Sequence, residues 1–528
     1  MKYPIGIQSF DQLIEDGYVY VDKTDLVYSL VKEGKIYFLS RPRRFGKSLL
    51  VSTLKNYFLG RKELFKGLKI DALEQDWKVY PVFHLDFNGT DFTLPGELER
   101  KLSYYISSWA DQYALPEKSR NLGLGDFFAE VIRAAHQHTG RRAVVLIDEY
   151  DKPILDVLDA DASLEERNRN TLKAFYSAFK SADEHLQFVF LTGVTKFSQV
   201  SVFSGFNQPF DISMHGKYET LCGISQEELD TTFREPMEAM SEVYHCSYDE
   251  MRAMLKAQYD GYHFSDCMAD IYNPFSLLNA FSTGRIGDYW FKSGTPTYLI
   301  RLLSHTDENM NEITGKYYSA EEFIDYKANV EQPLPMIYQS GYLTIKDFDL
   351  EENTFLLDYP NKEVKRGFLT MVASSYFSNG DTSSWIRNAV SCLKKGELDD
   401  FRINLTSFLA SIPYTMRRKE NERERERYFH YTFYLLMRLI SVYTVYTEKV
   451  QSHGRVDCIV ETPNFVYVFE FKLDGTAEEA LRQINEKDYA REYEADQRKL
   501  SKIGVVFSSE TGTIADWLAE ERRVLFRW

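Results

Sequence analysis

Residues 35–48, KIYFLSRPRRFGKS, constrain the fold of this chain more than any other stretch. An apolar β-type run, IYFL, leads through a turn into Gly46, Lys47 and Ser48, and a helical pattern follows at once. This layout predicts a phosphate-binding loop, in which backbone N–H groups cradle the phosphates, Lys47 binds the outer ones and the Ser48 hydroxyl binds Mg²⁺. Because Arg41 stands where the general motif has its first glycine, a basic turn before an ordinary helix is the alternative.

A second stretch, RAVVLIDEYDK at residues 142–152, favours the phosphate-binding interpretation. Its apolar run ends in Asp148 and Glu149, and a continuous apolar run is typical of a buried parallel strand. In a nucleoside triphosphatase, one carboxylate at this position orders the Mg²⁺ shell and the next polarises the attacking water. We therefore predict that Asp148 binds the metal and that Glu149 is the catalytic base.

The words RPRRFGKS and LIDEYDKP resemble the bacterial family of AAA-ATPase-like domain proteins, in which an arginine-rich loop replaces the glycine-rich one. The resemblance covers residues 1–215 and implies ATP and Mg²⁺ as cofactors, with ATP hydrolysis as the reaction. The loop residues assigned to the nucleotide are Arg43, Arg44, Phe45, Gly46, Lys47, Ser48 and Leu49.

The next strand, LQFVFL at residues 186–191, ends in Thr192. Related ATPases place a polar side chain that senses the γ-phosphate at the end of the strand after the acidic strand. Thr192 is therefore our candidate sensor and Lys196 the second, with a simple strand cap as the alternative for Thr192. Alternating strands and helices predict a parallel sheet with the nucleotide at the carboxyl ends of its strands.

Composition limits the classes of protein that fit. With 528 residues, about two to four domains are expected, and 44 % hydrophobic and 15 % aromatic residues argue against disorder. The net charge of −16 argues against non-specific coating of DNA but is compatible with a local basic channel. Scattered cysteines, an acidic N-terminal region and the absence of a long uncharged run predict a cytoplasmic protein that does not enter a membrane.

Changes in pattern divide the chain into four expected domains. An AAA-ATPase-like domain of residues 1–215 precedes a helical lid region, 216–330, where Ser225 and Glu228 stand at capping-box spacing. A connecting α+β region, 331–415, precedes a C-terminal domain, 416–528. Its charge run at 416–428 predicts a solvated helix start, and residues 429–446 predict an amphipathic helix.

The C-terminal domain contains a second set of reactive side chains. GRVDCIVE at 454–461 and FVYVFEFK at 465–472 flank a Thr-Pro-Asn turn and predict a β-hairpin. Glu470 and Lys472 share one face of their strand, and Asp457 lies roughly opposite Glu470. The set suits metal-dependent phosphodiester hydrolysis, in which Asp457 and Glu470 bind Mg²⁺ while Lys472 activates water or stabilises charge.

The Asp…Glu-x-Lys pattern resembles the PD-(D/E)XK nuclease superfamily, whose α/β/α core is such a hairpin flanked by helices. The resemblance implies that Gln483 supports the site and that Glu426 is a further metal ligand. One departure is Val456, which stands where the name-giving proline would be. A final strand at 501–507 is expected to complete this core.

Together these features predict an α/β protein with a P-loop NTPase parallel sheet domain, a helical middle region and a restriction-endonuclease-like α/β/α domain. The expected function is ATP hydrolysis that gates a metal-dependent nuclease, with DNA favoured over RNA; the resemblance implies a defence or mobile-element setting. The alternative is a nucleotide-dependent scaffold whose nuclease-like domain only binds a partner or nucleic acid. A homo-oligomer stays open, as does the choice of arginine finger among Arg43, Arg44, Arg167, Arg169 and Arg234.

Overall fold

A computed structural model describes most of the chain, in two compact units, Met1–Val364 and Lys365–Trp528. The predicted ligand Glu426 and the charge run at 416–428 lie outside the described residues. The described residues are 1–158, 160–197, 209–291, 299, 313–324, 333–377, 382–411, 432–433, 436–437, 444–451, 454–493 and 496–522.

The first unit is built on a five-stranded parallel sheet in the order β2-β3-β4-β1-β5. Every residue of β3 is buried, because its apolar run is covered on both faces. The confirmed parallel order brings the carboxyl ends of β1, β3 and β4 to one edge. The strands are β1 (Ile36–Ser40), β2 (Val82–Asp86), β3 (Ala143–Asp148), β4 (Leu186–Gly193) and β5 (Phe210–Asp211).

Helices connect and cover these strands. The helix that follows β1 begins at Lys47 directly after Gly46, as the phosphate-loop pattern predicts. The helices before β5 are Phe10–Glu15, Thr24–Glu33, Lys47–Phe58, Lys69–Leu73, Glu97–Gln112, Leu124–Thr139, Lys152–Leu155, Ala162–Tyr176 and Ala178–Ser181, with 3₁₀ turns at Lys62–Phe65, Glu117–Asn121 and Asp183–His185.

The region after the sheet is mainly helical, and the capping box of Ser225 and Glu228 is present at the start of its first helix. Its apolar face forms a core that includes Leu229, Phe233 and Leu277. The elements are a 3₁₀ turn Gly216–Leu221, helices Gln226–Thr232, Arg234–Tyr244, Tyr248–Tyr259 and Pro274–Thr283, and the two-stranded sheet of β6 (Ile224–Ser225) and β7 (Ile271–Tyr272).

A small antiparallel sheet in the order β8-β10-β9 follows. Strands β9 and β10 lie where the sequence predicts mixed strands and helices, whereas β8 lies within the region 216–330 that was expected to be mostly helical. It packs through Phe323, Ile345 and Leu357. Its elements are β8 (Lys316–Ser319), helices Ala320–Phe323 and Leu334–Gln339, β9 (Thr344–Asp349) and β10 (Thr354–Asp358).

The C-terminal unit is a five-stranded mixed sheet in the order β11-β12-β13-β14-β15, in which only β13 and β14 are parallel. Helix Ala477–Glu486 packs on one face through Ile484, and Phe433 packs against Phe469 and Phe471 on the other. This layering confirms the α/β/α fold. The elements are helices Lys362–Phe377, Thr382–Lys395, Leu398–Ala410 and Ala477–Glu486, a 3₁₀ turn Arg491–Tyr493, and β11 (Thr444–Gln451), β12 (Gly454–Glu461), β13 (Phe465–Leu473), β14 (Lys499–Phe507) and β15 (Ile514–Arg522).

Two details of this unit differ from expectation. The prediction of a helix over 429–446 is wrong at its C-terminal end, because β11 begins at Thr444. The Thr-Val-Tyr sequence there is β-branched and aromatic, which favours a strand. The strand expected to be the last is followed by β15, which is antiparallel to it. Within the described residues, no helix has the length and apolar character that crossing a bilayer requires.

Candidate active sites

The first site begins with a buried arginine in the phosphate loop. Arg41 is only 2 % exposed, and its guanidinium lies 4.1 Å above the Phe264 ring. The side chain anchors the loop to the segment after β5, which explains why this loop does not need a glycine at position 41. The guanidinium donates to the carbonyl oxygens of Ser40 at 2.9 Å, Ser213 at 2.7 Å, and Tyr218 and Glu219 at 3.4 Å.

The rest of the loop turns sharply before the helix begins. Arg44 and Gly46 both have left-handed backbone conformations, with φ of 70° and 92°. Phe45 between them is buried against the rings of Tyr262 and Phe264, with centroids 4.8 and 5.5 Å away. Phe45 therefore has a packing role, while Arg43 and Arg44, which lie between the buried Pro42 and Phe45, remain exposed.

Lys47 is buried at the N-terminus of the helix and makes contacts within the loop. Its Nζ donates to the carbonyl oxygens of Arg41 at 3.1 Å and Pro42 at 3.2 Å, and lies 3.9 Å from Glu149 Oε1. The lysine predicted to bind phosphate and the predicted base are thus neighbours. An anionic phosphate placed here would compete with Glu149 for the ammonium group.

The predicted metal ligands of this site also lie together. The Ser48 hydroxyl hydrogen-bonds the Asp148 carboxylate, and Asp148 is 3 % exposed. Burial and the neighbouring Glu149 raise the pKa of Asp148 to about 6. A hydroxyl beside a buried carboxylate whose charge is poorly compensated is a pair that suits Mg²⁺, since a bound cation would favour the ionised form.

Glu149 directly follows β3 in a left-handed conformation, with φ of 52°. Such a conformation is uncommon for a residue with a side chain, and in folded proteins it clusters at functional sites. Asp151, two residues later, is fully buried and accepts hydrogen bonds from the N–H groups of Val194 and Thr195, at 2.9 and 2.6 Å. Asp151 therefore joins the ends of β3 and β4.

Thr192, the candidate γ-phosphate sensor, is fully buried, and its hydroxyl donates to the Leu39 carbonyl at 2.8 Å. This bond links β4 to β1 and matches the strand-cap alternative, so a sensor function for Thr192 stays a prediction. Lys196, the second candidate, pairs with Asp211 at 3.0 Å.

A cavity of about 550 Å³ opens beside the loop. Its lining includes most of the loop residues predicted to bind nucleotide, together with Glu149, but neither Asp148 nor Thr192. The volume lies within the range of ligand pockets of nucleotide size. The lining loop residues are Arg43, Arg44, Gly46, Lys47, Ser48 and Leu49.

Other parts of the lining were not predicted from sequence. They come from the start of the chain, residues 4–8, from the first turn of helix Pro274–Thr283, and from Trp290 and Tyr342. Trp290 donates its indole N–H to the Arg43 carbonyl at 3.0 Å. The words NPF and YW are visible in the sequence, but aromatic residues at helical spacing belong more often to a core.

A second, smaller cavity of about 110 Å³ adjoins the first and is mostly apolar. Five residues line both cavities, so the two spaces are neighbours. The shared residues are Pro4, Gly46, Leu49, Pro274 and Leu278.

The second site lies on the hairpin of β12 and β13. Cys458 pairs with Phe469 in this hairpin, which puts Asp457 opposite Glu470 as the sequence predicts. Asp457 Oδ2 accepts a hydrogen bond from the Phe471 N–H at 2.8 Å, which fixes the carboxylate beside the strand that carries Glu470.

Glu470 is buried at 2 % exposure, and its Oε2 has no hydrogen-bond partner among the residues that the structure describes. Burial and the nearby Asp457 raise the pKa of the Glu470 carboxyl well above its ordinary value. A buried acceptor without a partner is costly, so such an atom calls for a physical explanation. A divalent cation between Asp457 and Glu470 would supply both the missing partner and the missing positive charge.

Gln483 connects the remaining members of the site. Its Oε1 accepts from Lys472 Nζ at 2.7 Å, and its Nε2 donates to Glu470 Oε1. Lys472 Nζ also lies 3.8 Å from Glu470 Oε1. Gln483 projects from helix Ala477–Glu486, which begins with a capping box of Thr476 and Glu479, so the helix start sets the position of the amide.

The donor set fits Mg²⁺ in number as well as type. Among the residues that the structure describes, no group of three acidic, histidine or cysteine side chains converges, and the pair of Asp457 and Glu470 provides two carboxylates. Mg²⁺ in phosphate chemistry is commonly held by one or two carboxylates together with substrate oxygens and water.

Comparisons with known proteins match the two regions of the chain that carry these sites. A family model described as "Predicted AAA-ATPase" matches residues 4–203, and a model of the PD-(D/E)XK nuclease superfamily matches residues 424–517. A protein of Azotobacter chroococcum mcd 1, called "Uncharacterized protein in vnfD 5'region", is 35 % identical over 98 % of this chain and 99 % of its own length.

Proposed function

Since this chain belongs to the family of predicted AAA-ATPases that carry a C-terminal PD-(D/E)XK nuclease superfamily domain, we propose that it is an ATP-hydrolysing protein that gates a metal-dependent DNA nuclease. We propose the boundaries given above, 1–215, 216–330, 331–415 and 416–528, for its domains. The observation that carries the nuclease half is the buried Glu470 Oε2, for which no described residue provides a hydrogen bond.

For the ATPase half, the 550 Å³ cavity is proposed to hold the triphosphate along the loop. Lys47 would bind phosphate oxygens, and Ser48 with Asp148 would hold Mg²⁺. The adjoining apolar cavity of about 110 Å³ suits the flat, largely apolar face of a purine base. Glu149 lines the cavity and lies 3.9 Å from the lysine that would bind phosphate, so it would accept the proton of the attacking water.

For the nuclease half, Asp457 and Glu470 would hold a divalent ion, which supplies charge stabilisation for phosphodiester hydrolysis when bound. Lys472 would orient the attacking water or stabilise the developing negative charge. Gln483 holds both Lys472 and Glu470 through its amide, so its function is to position them. In the reaction, the water oxygen bonds to phosphorus, and one P–O ester bond breaks with its electron pair on the leaving sugar oxygen.

The experiment that tests this function is cleavage of mixed single- and double-stranded DNA by the full chain with Mn²⁺, with and without ATP. We expect cleavage that changes with ATP and is lost in Glu470→Ala. Lys502→Ala is the control, because Lys502 lies on the neighbouring strand β14 and its Nζ donates to Asn485 Oδ1 at 2.6 Å, not to a residue of the site.

The outcomes separate the two halves of the proposal. Cleavage that survives unchanged in Glu470→Ala would place the catalytic centre elsewhere. Cleavage that depends on Glu470 but not on ATP would remove the gate and leave the nuclease. Nucleotide binding without any cleavage would instead support the regulatory scaffold, in which the C-terminal domain only binds a partner or nucleic acid.

A further inference from the structure

The phosphate loop carries one cation that its neighbours do not neutralise. Arg44 is exposed beside the cavity, and no carboxylate among the described residues forms an ion pair with it. Its guanidinium instead stacks 5.0 Å from the centre of the Phe275 ring, which also lines the cavity. Arg44 is therefore a positive charge at the site, and no described carboxylate is its counter-ion.

The backbone around Arg44 keeps this charge in place. Arg44 adopts φ of 70°, although it is not a glycine, and the next residue, Phe45, is buried at 1 % exposure. Glu149, the proposed base, has the same kind of left-handed conformation and lines the same cavity. Left-handed conformations of residues with side chains persist where the surrounding structure imposes them, and they cluster at functional sites.

The other arginines considered from the sequence are bound elsewhere. Arg167, Arg169 and Arg234 do not line the cavity, and each pairs with a glutamate on its own or a neighbouring helix. Arg167 pairs with Glu99 at 2.9 Å, Arg169 with Glu165 at 2.5 Å, and Arg234 with Glu238 at 3.0 Å. Arg43 also lines the cavity, but its backbone is not in the left-handed region, and its carbonyl accepts the Trp290 indole N–H at 3.0 Å.

We propose that Arg44 is the arginine finger of this ATPase, supplied by the phosphate loop of the same chain. The inference rests on the proposed ATP hydrolysis. In that reaction a water oxygen bonds to the γ-phosphorus, its proton passes to Glu149, and the bond to the bridging oxygen breaks with its electron pair on ADP. Arg44 stabilises the charge that builds up on the γ-phosphoryl oxygens and the bridging oxygen. Hydrolysis by this chain consequently needs no arginine from a second copy.

The test compares the wild-type chain with Arg44→Gly, Arg44→Lys and Arg234→Ala. Glycine accepts the left-handed backbone without strain, so Arg44→Gly removes the charge without forcing the loop to move. We expect its kcat for ATP to fall at least about 100-fold, since an arginine finger contributes about 10³–10⁵-fold. Its KM and its affinity for a fluorescent ATP analogue should change less than about threefold, and its Tm should not fall.

Arg44→Lys should recover part of kcat, and Arg234→Ala should match the wild type. The wild-type kcat per chain should also stay constant as protein concentration varies. The inference is overturned if Arg44→Gly hydrolyses ATP normally, if it loses binding as much as turnover, or if kcat per chain rises with concentration. A wild-type chain that binds ATP without hydrolysing it would overturn the proposed hydrolysis and this function of Arg44 together.

Discussion

The two candidate sites of this chain are built in opposite ways. The nuclease site is compact: Asp457, Glu470, Lys472 and Gln483 come from one hairpin and the helix after it, and their bonds already connect most of the set. The ATPase site is a wide cavity whose lining comes from segments as distant as residues 4–8 and Tyr342. A site for an ion can be local in sequence, whereas a site for a large ligand requires many parts of the fold.

The largest expected effect concerns the chemistry of the wide site. Glu149→Gln removes the proposed base and keeps the size of the side chain, so kcat for ATP should fall about 10²–10⁴-fold while ATP binding is retained. Steady-state hydrolysis and equilibrium binding measure the two quantities. Asp156→Asn is the control, since Asp156 lines the same cavity but pairs with Lys152. Normal hydrolysis in Glu149→Gln would move the base to another lining residue, and not to Asp151, which is buried.

A second change tests whether the arginine loop is a variant of the glycine loop or a different structure. Arg41→Gly restores the general motif, yet it leaves four carbonyl oxygens without their donor. We expect the free energy of unfolding to fall by about 2–4 kcal/mol. Denaturant midpoints would show this, beside Arg61→Ala, whose surface ion pairs should contribute little. An unchanged midpoint for Arg41→Gly would mean that the loop is held by other contacts.

A third prediction concerns the nuclease site and the pH dependence of the free energy of unfolding. The pKa of Glu470 is raised in the folded chain, so ionisation of this carboxyl opposes folding. Its contribution to stability is fully present below the ordinary pKa of a glutamate and is lost as pH rises through the raised pKa of the folded state. In metal-free buffer, the free energy of unfolding of Glu470→Gln should exceed that of the wild type by about 1–3 kcal/mol between about pH 5 and about pH 9. Mn²⁺ should stabilise the wild type and not the variant.

Thermal unfolding at each pH measures this difference, with Glu486→Gln as an exposed control. A wild type whose stability relative to Glu470→Gln does not change with pH would show that the carboxyl is solvated. Equal stabilisation of both proteins by Mn²⁺ would show that the ion binds elsewhere.

The smallest expected effect concerns the helix that positions Gln483. Thr476→Ala removes the capping side chain that accepts from the Glu479 N–H, which should cost about 1 kcal/mol. Glu478→Ala in the same turn is the control, because Glu478 is exposed and makes no capping bond. Chemical denaturation of the two variants measures the difference; equal losses would show that the cap does not stabilise this helix.

The same contrast explains how far the sequence could lead. The register of Asp457 and Glu470 follows from alternation along two short strands and could be predicted from spacing. The supporting position of Gln483, which contacts Glu470, was implied by the family resemblance and not by spacing. For the ATPase, the loop and the acidic strand were visible, but residues 4–8, Phe275 and Trp290 carry no local signal for a cavity. The burial of Arg41 was hidden too, since charge alone suggests an exposed side chain. The start of β11 was not predicted, because the preceding run has a helical periodicity, whereas the first residues of the strand are β-branched and favour a strand.

The scattered lining of the ATPase cavity also has a consequence for the time at which the chain can first use ATP. Ribosomes add roughly 5–20 residues per second, so Pro4 would wait roughly 20–70 s for Tyr342 to be synthesised. A parallel sheet that forms during translation would therefore form before the complete cavity can hold nucleotide. The nuclease cluster, from Asp457 to Gln483, is synthesised within roughly 1–5 s. A growing chain thus completes its nuclease cluster in one short interval, long after its first strands have been synthesised.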